Sequence, residues 1–276
     1  MRAQCVLTVL SCQLLACSVV HAAEQPAPLA IGETFTLQSK VLNETRRINV
    51  YLPPGYGEAA DKRFPVLYMP DGGLAEDFLH IAGLVQVSVG NGTMRPFVLV
   101  GIENTERRRD LTGPTQNEAD KKIAPRVGGS ALFRKFLRGE LLPEVKARYR
   151  TTDETAIVGE SLAGLFVIET FLLEPDLFDK YVAIDPSLWW NDGSLVKSAA
   201  ELLLTHREPD RTRPNEALWF ASSGEQRGDW IGRFAAAVQA NAPVGLQWHY
   251  EPMPQEKHST IYHPAALEAF RAVFKP

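Results

Sequence analysis

The chain is 276 residues long with 45% apolar residues and ordinary glycine and proline content, which is enough for one large domain with an ample core. No internal repeat or low-complexity linker divides it, so one domain is the simplest count. A formal charge of −4 at pH 7 argues against nucleic acid as the main partner, because that role calls for a basic face.

In chain order, the first element is a targeting segment and not part of the fold. Arg2 supplies a positive start, residues 6–20 are mostly apolar, and Val20-His21-Ala22 offers small residues where a signal peptidase cuts. A mature chain starting near Ala23 is expected, periplasmic or secreted, with 23–276 as a single domain. The apolar run is too short, and too interrupted by Ser11, Cys12 and Gln13, to span a membrane. No later segment reaches about 18 apolar residues. Leu14-Leu15-Ala16-Cys17 also resembles a bacterial lipobox, which would leave Cys17 acylated, but Leu15 fits poorly at its position. Removing residues 1–22 takes away all three cysteines and, with Arg2, brings the charge to −5. The remainder then has no disulfide, thiol nucleophile or cysteine metal site.

Apolar alternation and short apolar runs predict strands over 34–39, 48–52, 65–69, 97–102, 155–158, 181–184, 217–221 and 246–251. Helical spacing predicts helices over 76–85, 131–149, 162–173, 195–205, 230–240 and 264–274. The first two strands are close enough in sequence to pair antiparallel. From Pro65 onward the strict alternation demands crossovers, hence an α/β fold: a mostly parallel sheet of about eight strands with helices on both faces. Ligands bind such sheets beyond the carboxyl ends of the strands.

One of those strand ends carries a nucleophile elbow. Residues 155–160 run into Ser161, and a helical pattern starts at once behind it. The small Gly159 and Ala163 permit the strained backbone that lifts a serine hydroxyl above a sheet edge. Acyl transfer through serine needs a base, an acid to orient it, and N–H donors for the oxyanion. His258, in the loop between the last strand and the last helix, is the expected base. His263, at the start of that helix, is its competitor, whereas His80, His206 and His249 read as packing or surface residues. Glu225 is the first candidate acid, in the loop after strand 217–221, with Asp229 and Asp185 as alternatives. Serine, then acid, then histidine is the α/β-hydrolase chain order. For the oxyanion, the N–H of Leu162 is expected to work with that of Gly72 or Gly73, in the tight loop after strand 65–69.

These motifs resemble the enterochelin (ferric enterobactin) esterase and esterase D group of α/β-hydrolases over nearly the whole mature sequence. The resemblance is carried by RINVYLPPGY at 47–56, VLYMPDG at 66–72, and VGIENT at 100–105 followed by Arg107, Arg109, Asp110, Leu111 and Thr112. GESLAG at 159–164, PSLWW at 186–190, and His258 with Ser259 complete it. It implies Ser161 as nucleophile and His258 as base. Two departures stand out: Ala163-Gly164 replaces the usual pair of glycines, and Asp185 stands where a serine is common, which keeps Asp185 open as the acid.

The expected substrate is a small-molecule ester, a siderophore lactone or related aryl or acyl ester. A general carboxylesterase or carbohydrate-ester deacylase is the alternative, and a non-catalytic binding protein on the same fold is a reading of another class. Arg107, with Arg108 and Arg109, is expected to recognise an anionic substrate, because guanidinium forks suit carboxylate and catecholate oxygens. Of Trp189 and Trp190, one is expected in the core and the other in the acyl or aryl pocket. No clustered metal-ligand spacing is present, so neither metal nor cofactor is expected.

Overall fold

The computed structural model describes residues 27–58, 60–205 and 216–276. The predicted leader and lipobox at 1–22, and His206, lie outside the described residues. Residues 31–276 form one compact unit.

Its strands are β1 (Glu33–Ser39), β2 (Glu44–Tyr51), β3 (Phe64–Pro70), β4 (Val98–Ile102), β5 (Thr151–Glu160), β6 (Lys180–Ile184), β7 (Ala217–Ser223) and β8 (Gln247–Met253). They form an eight-stranded sheet in the order β1-β2-β4-β3-β5-β6-β7-β8. The pairs β1–β2 and β2–β4 are antiparallel and all the others parallel. The helices are α1 (Phe78–Gly90), α2 (Arg107–Asp110), α3 (Glu118–Lys121), α4 (Ser130–Phe136), α5 (Leu142–Arg148), α6 (Leu162–Leu173), α7 (Trp190–Thr205), α8 (Trp230–Asn241) and α9 (Tyr262–Val273).

The two-residue period of the inner strands divides the core in two. Val66, Tyr68, Ile157, Ala183 and Phe220 face one cluster, with Phe133, Phe136, Phe166 and Phe234 from α4, α6 and α8. Leu67, Met69, Val158, Ile184 and Trp219 face the other, with Ile81 of α1 and Phe270 of α9. Burial on both faces is why β3 reads as an unbroken apolar run. Truncating one of the fully buried phenylalanines to alanine costs about 3–5 kcal/mol.

Two predicted helices take a form different from the sequence expectation, and two short helices come in addition. The predicted helix 131–149 is α4 and α5 joined by a π-helical turn, Leu137–Leu141. Pro143 lies in the first turn of α5 and has no N–H for the carbonyl one turn back, and this loosens the ladder there. Helix 195–205 starts earlier, at Trp190, across a kink at Asn191, Asp192 and Gly193, whose φ values are 48°, 53° and 67°. The short helices α2 and α3 have too few residues for a periodic signal.

The parallel register sets up the site. Glu160 pairs with Ile184 and Ile184 with Ala221, so Ser161, Asp185 and the end of β7 come level at one edge of the sheet.

Candidate active site

Ser161 follows β5 directly and heads α6 with φ 60° and ψ −119°, a region costly for a non-glycine residue. Hydrogen bonds to β6, to the loop after it and within α6 hold it there: its N–H donates to Ile184 O at 3.0 Å, and its carbonyl accepts from Leu165 N and Ser187 N, each at 2.9 Å. The turn needs Gly159, where an added Cβ would come within 2.7 Å of Ala163.

From Ser161 Oγ a line of hydrogen bonds runs inward. His258 Nε2 lies 3.1 Å from Ser161 Oγ, and His258 Nδ1 lies 2.6 Å from Asp185 Oδ2. Asp185 is 5% exposed and takes two further bonds from β7, Ser223 N at 2.9 Å and Ser223 Oγ at 2.8 Å. Burial alone would raise the Asp185 pKa, but the imidazole and the two Ser223 donors outweigh it and hold the carboxyl below its usual value. The same bond from Asp185 raises the His258 pKa against partial burial, with help from the charge of Glu160. Glu160 itself is pushed up to about 7, chiefly by burial, with Asp77 and Asp185 adding to it. With Nδ1–H donated to Asp185, Nε2 keeps its lone pair for the serine proton.

The structure sorts the other sequence candidates. Glu225 does not reach the imidazole: its carboxylate accepts the backbone N–H of His258 at 3.3 Å. Asp229 is exposed at the head of α8. His263 pairs with His80 at 2.9 Å, between α9 and α1, and His249 on β8 pairs with Glu251 at 2.9 Å.

Leu162 begins α6, where a backbone N–H has no carbonyl one turn back. The expected partners Gly72 and Gly73 are otherwise engaged, since Gly72 N donates to Ile102 O at 3.0 Å and Gly73 N to Glu76 Oε2 at 2.7 Å. The glycine at 72 is required by packing: an added Cβ would sit 2.2 Å from Ile102 N and 2.3 Å from Gly101 Cα.

Arg107 lines the cleft, but its fork is spent on Asp71, with Nε to Oδ1 at 2.6 Å and a terminal nitrogen to Oδ2 at 2.7 Å. Asp71 is 6% exposed and has φ 57°. Asn104 bonds both Asp71 and Glu76. The group therefore braces the 71–77 loop, and the expected free anion receptor at Arg107 is instead an ion pair. Arg109 is likewise bound, to Glu44 and Asp110. Trp190 is core, its Nε1–H donating to Gly113 O at 2.9 Å, while the half-buried Trp189 lines the cleft.

The cleft has a volume of about 500 Å³ and reaches Ser161, His258, Ser187, Trp189, Arg227 and Trp230. Ser187, Ser223 and Arg227 were not singled out from sequence. Ser187 Oγ lies 3.4 Å from Ser161 Oγ, and its place in PSLWW, directly after a strand, was the available signal. Ser223 and Arg227 carry no motif.

A family model described as "Putative esterase" matches residues 39–262. Among curated proteins, the ferri-bacillibactin esterase BesA of Bacillus subtilis is 29% identical over 175 residues, 56% of this chain and 58% of that protein. The siderophore triacetylfusarinine C esterase of Aspergillus fumigatus is 27% identical over 226 residues, 74% of this chain and 72% of that protein. Among solved structures, an IroE-like serine hydrolase from Shewanella oneidensis superposes with a TM-score of 0.78 at 27% identity, covering 88% of this chain and 80% of that one. The architecture is thus the α/β-hydrolase fold expected from sequence.

Proposed function

Because this chain belongs to the esterase family whose model spans residues 39–262, we propose that it hydrolyses carboxylic esters through an acyl-enzyme on Ser161, with siderophore esters as the substrate class. The observation that carries this reading is the bonded series Ser161 Oγ, His258, Asp185, with links of 3.1 and 2.6 Å.

In the first half-reaction His258 Nε2 takes the Ser161 proton as Oγ attacks the ester carbonyl carbon. Asp185 holds the ring in the tautomer that can accept that proton and stabilises the imidazolium. The negative oxygen of the tetrahedral intermediate faces the Leu162 N–H and the positive end of α6. As the intermediate collapses, the carbon–oxygen bond to the alcohol breaks and His258 gives its proton to the departing oxygen. Water then attacks the acyl-serine by the same route, with His258 first base and then acid, and the acid product leaves with Ser161 restored.

The siderophore part of the proposal is supported by the two curated relatives that bear siderophore esterase names. We place the reaction outside the cytoplasm on the strength of the apolar leader that ends at Ala22, with release by a signal peptidase in preference to anchoring through Cys17.

A fluorophosphonate added to the chain should form one adduct, located on Ser161 by mass spectrometry. Ser161→Ala should lose the adduct and several orders of magnitude in kcat. An adduct on another serine, with full hydrolysis by Ser161→Ala, overturns the assignment.

A further inference from the structure

Helices α1 and α9 pack side by side on one face of the sheet, with Ile81 and Val85 of α1 buried in the same cluster as Ala266 and Phe270 of α9. Where the two helices begin, His80 Nε2 lies 2.9 Å from His263 Nδ1. The residues are 183 apart in the chain, so no local spacing announces the pair. His80 is half-buried, and its ring meets that of Tyr262 edge to face with centres 5.2 Å apart. Tyr262 is itself 8% exposed, and this contact fixes one imidazole against the core. His263 is exposed, which gives the pair an open approach from solvent.

Neutral imidazole is a metal ligand through the ring nitrogen that carries the lone pair. A metal ion between two such nitrogens holds each at about 2.0–2.1 Å. At angles from square to tetrahedral that sets the nitrogens roughly 2.8–3.4 Å apart, and the separation of His80 Nε2 and His263 Nδ1 lies in that range. The ring planes differ by 27°, and turning the exposed His263 ring directs the two lone pairs at a common point. The local charge also suits a cation. Helix α1 contains no Lys, Arg, Asp or Glu, and Asp77 heads it three residues before His80, on the same side. The charge of Asp77 reaches Tyr262, against which His80 rests.

We propose that His80 and His263 together hold a borderline divalent metal ion, of the kind of Zn²⁺, Ni²⁺ or Cu²⁺, which clamps α1 to α9. Imidazole nitrogen selects this class, whereas Mg²⁺ and Ca²⁺ call for oxygen ligands. No group of three or more metal-ligating side chains occurs among the described residues, so the two rings are the protein's share and water completes the coordination. The neutral pair loses no proton on binding: the hydrogen between the rings moves to the far nitrogen of its own ring, and both facing nitrogens present lone pairs to the ion. Helix α1 follows the 71–77 loop and α9 follows the loop that carries His258, so the ion joins the helices that anchor both. The inference does not depend on the esterase reading.

The full chain is unfolded thermally at about pH 7.5, where imidazole is mostly neutral, with a chelator and with Zn²⁺ or Mg²⁺ as the chloride. Zn²⁺ should raise the midpoint by several degrees, because an ion held by both helices binds only the folded state, and Mg²⁺ should not. His80→Gln and His263→Gln should each abolish the rise, and each should weaken Zn²⁺ binding in calorimetry by about tenfold or more. Cysteines of the leader take the metal alike in all of these proteins, so the difference between them is what counts. His249→Gln, which removes a surface imidazole paired with Glu251, should keep the rise. A midpoint that Zn²⁺ leaves unmoved, a rise that survives replacement of either His80 or His263, or an equal rise with Mg²⁺ overturns the proposal.

Discussion

Asp185 Oδ2 stands 2.6 Å from His258 Nδ1, at the end of β6 and one strand away from the loop where the orienting acid was expected. Replacing Asp185 by Asn keeps the shape and offers the ring the wrong partner, so kcat on p-nitrophenyl acetate should fall by about three to four orders of magnitude. Glu225→Gln touches only a backbone N–H of His258 and should cost less than about tenfold. The opposite ranking in steady-state kinetics would return the role to Glu225.

The pH profile follows from the charges around His258. The base must be neutral to take the serine proton, so activity is lost as pH falls through its pKa. Asp185 and Glu160 raise that pKa above its ordinary 6.5, which puts the acid limb of kcat/KM above pH 6.5. Glu160, brought to about 7 by burial, titrates in the same range, so the limb belongs to the pair. Glu160→Gln removes a negative charge that favours imidazolium and should move the limb to lower pH. An unmoved limb would mean that His258 does not feel Glu160.

Arg107 braces a loop, and its loss should be felt by every substrate alike. Arg107→Ala leaves the buried Asp71 carboxylate short of two charged donors, a destabilisation of about 1–3 kcal/mol. Anionic and neutral aryl esters should lose kcat/KM by the same factor. A selective rise in KM for the anionic ester would restore Arg107 as a substrate contact.

Acid should weaken the fold through the His80–His263 pair. Burial, and after it the charge of His263, lower the His80 pKa from 6.5. The native protein then binds fewer protons at His80 than the unfolded chain, so this contribution is complete above pH 6.5 and is lost as pH falls below it. The urea midpoint should drop between about pH 7.5 and about pH 5.5, and His80→Gln should flatten that dependence. Equal slopes for both proteins would show that the pair contributes nothing.

The sheet was legible because its inner strands are apolar on both sides and alternate with helical spacing. Ser161 was legible because small residues, a strand and a helix surround it. The orienting acid was not. Asp185 and Glu225 both follow strand ends, and the difference between them arises from a positive φ of 42° at Asp185 and from two donors on Ser223 of the adjoining strand. Sequence spacing carries neither. The Gly72 and Gly73 loop was found by its glycines, but the destination of their N–H groups depends on Ile102 and Glu76. The pairing of Arg107 with Asp71 joins residues 36 apart, beyond the reach of any local pattern.

The level alignment of Ser161 and Asp185 gives the sheet a built-in check on its own assembly. The two residues come together because Glu160 pairs with Ile184, and His258 is carried to them by the loop after β8, which pairs with β7 at the far side of β6. A slip of one residue between β5 and β6 would turn the Asp185 side chain to the opposite face and leave the imidazole without its anchor. Such a misassembled chain would still bury most of its apolar residues and keep its far-ultraviolet signature, yet it would be silent toward an ester. During refolding from urea, the regain of hydrolysis should therefore trail the regain of secondary structure, and it times the docking of the last strand rather than the collapse of the core.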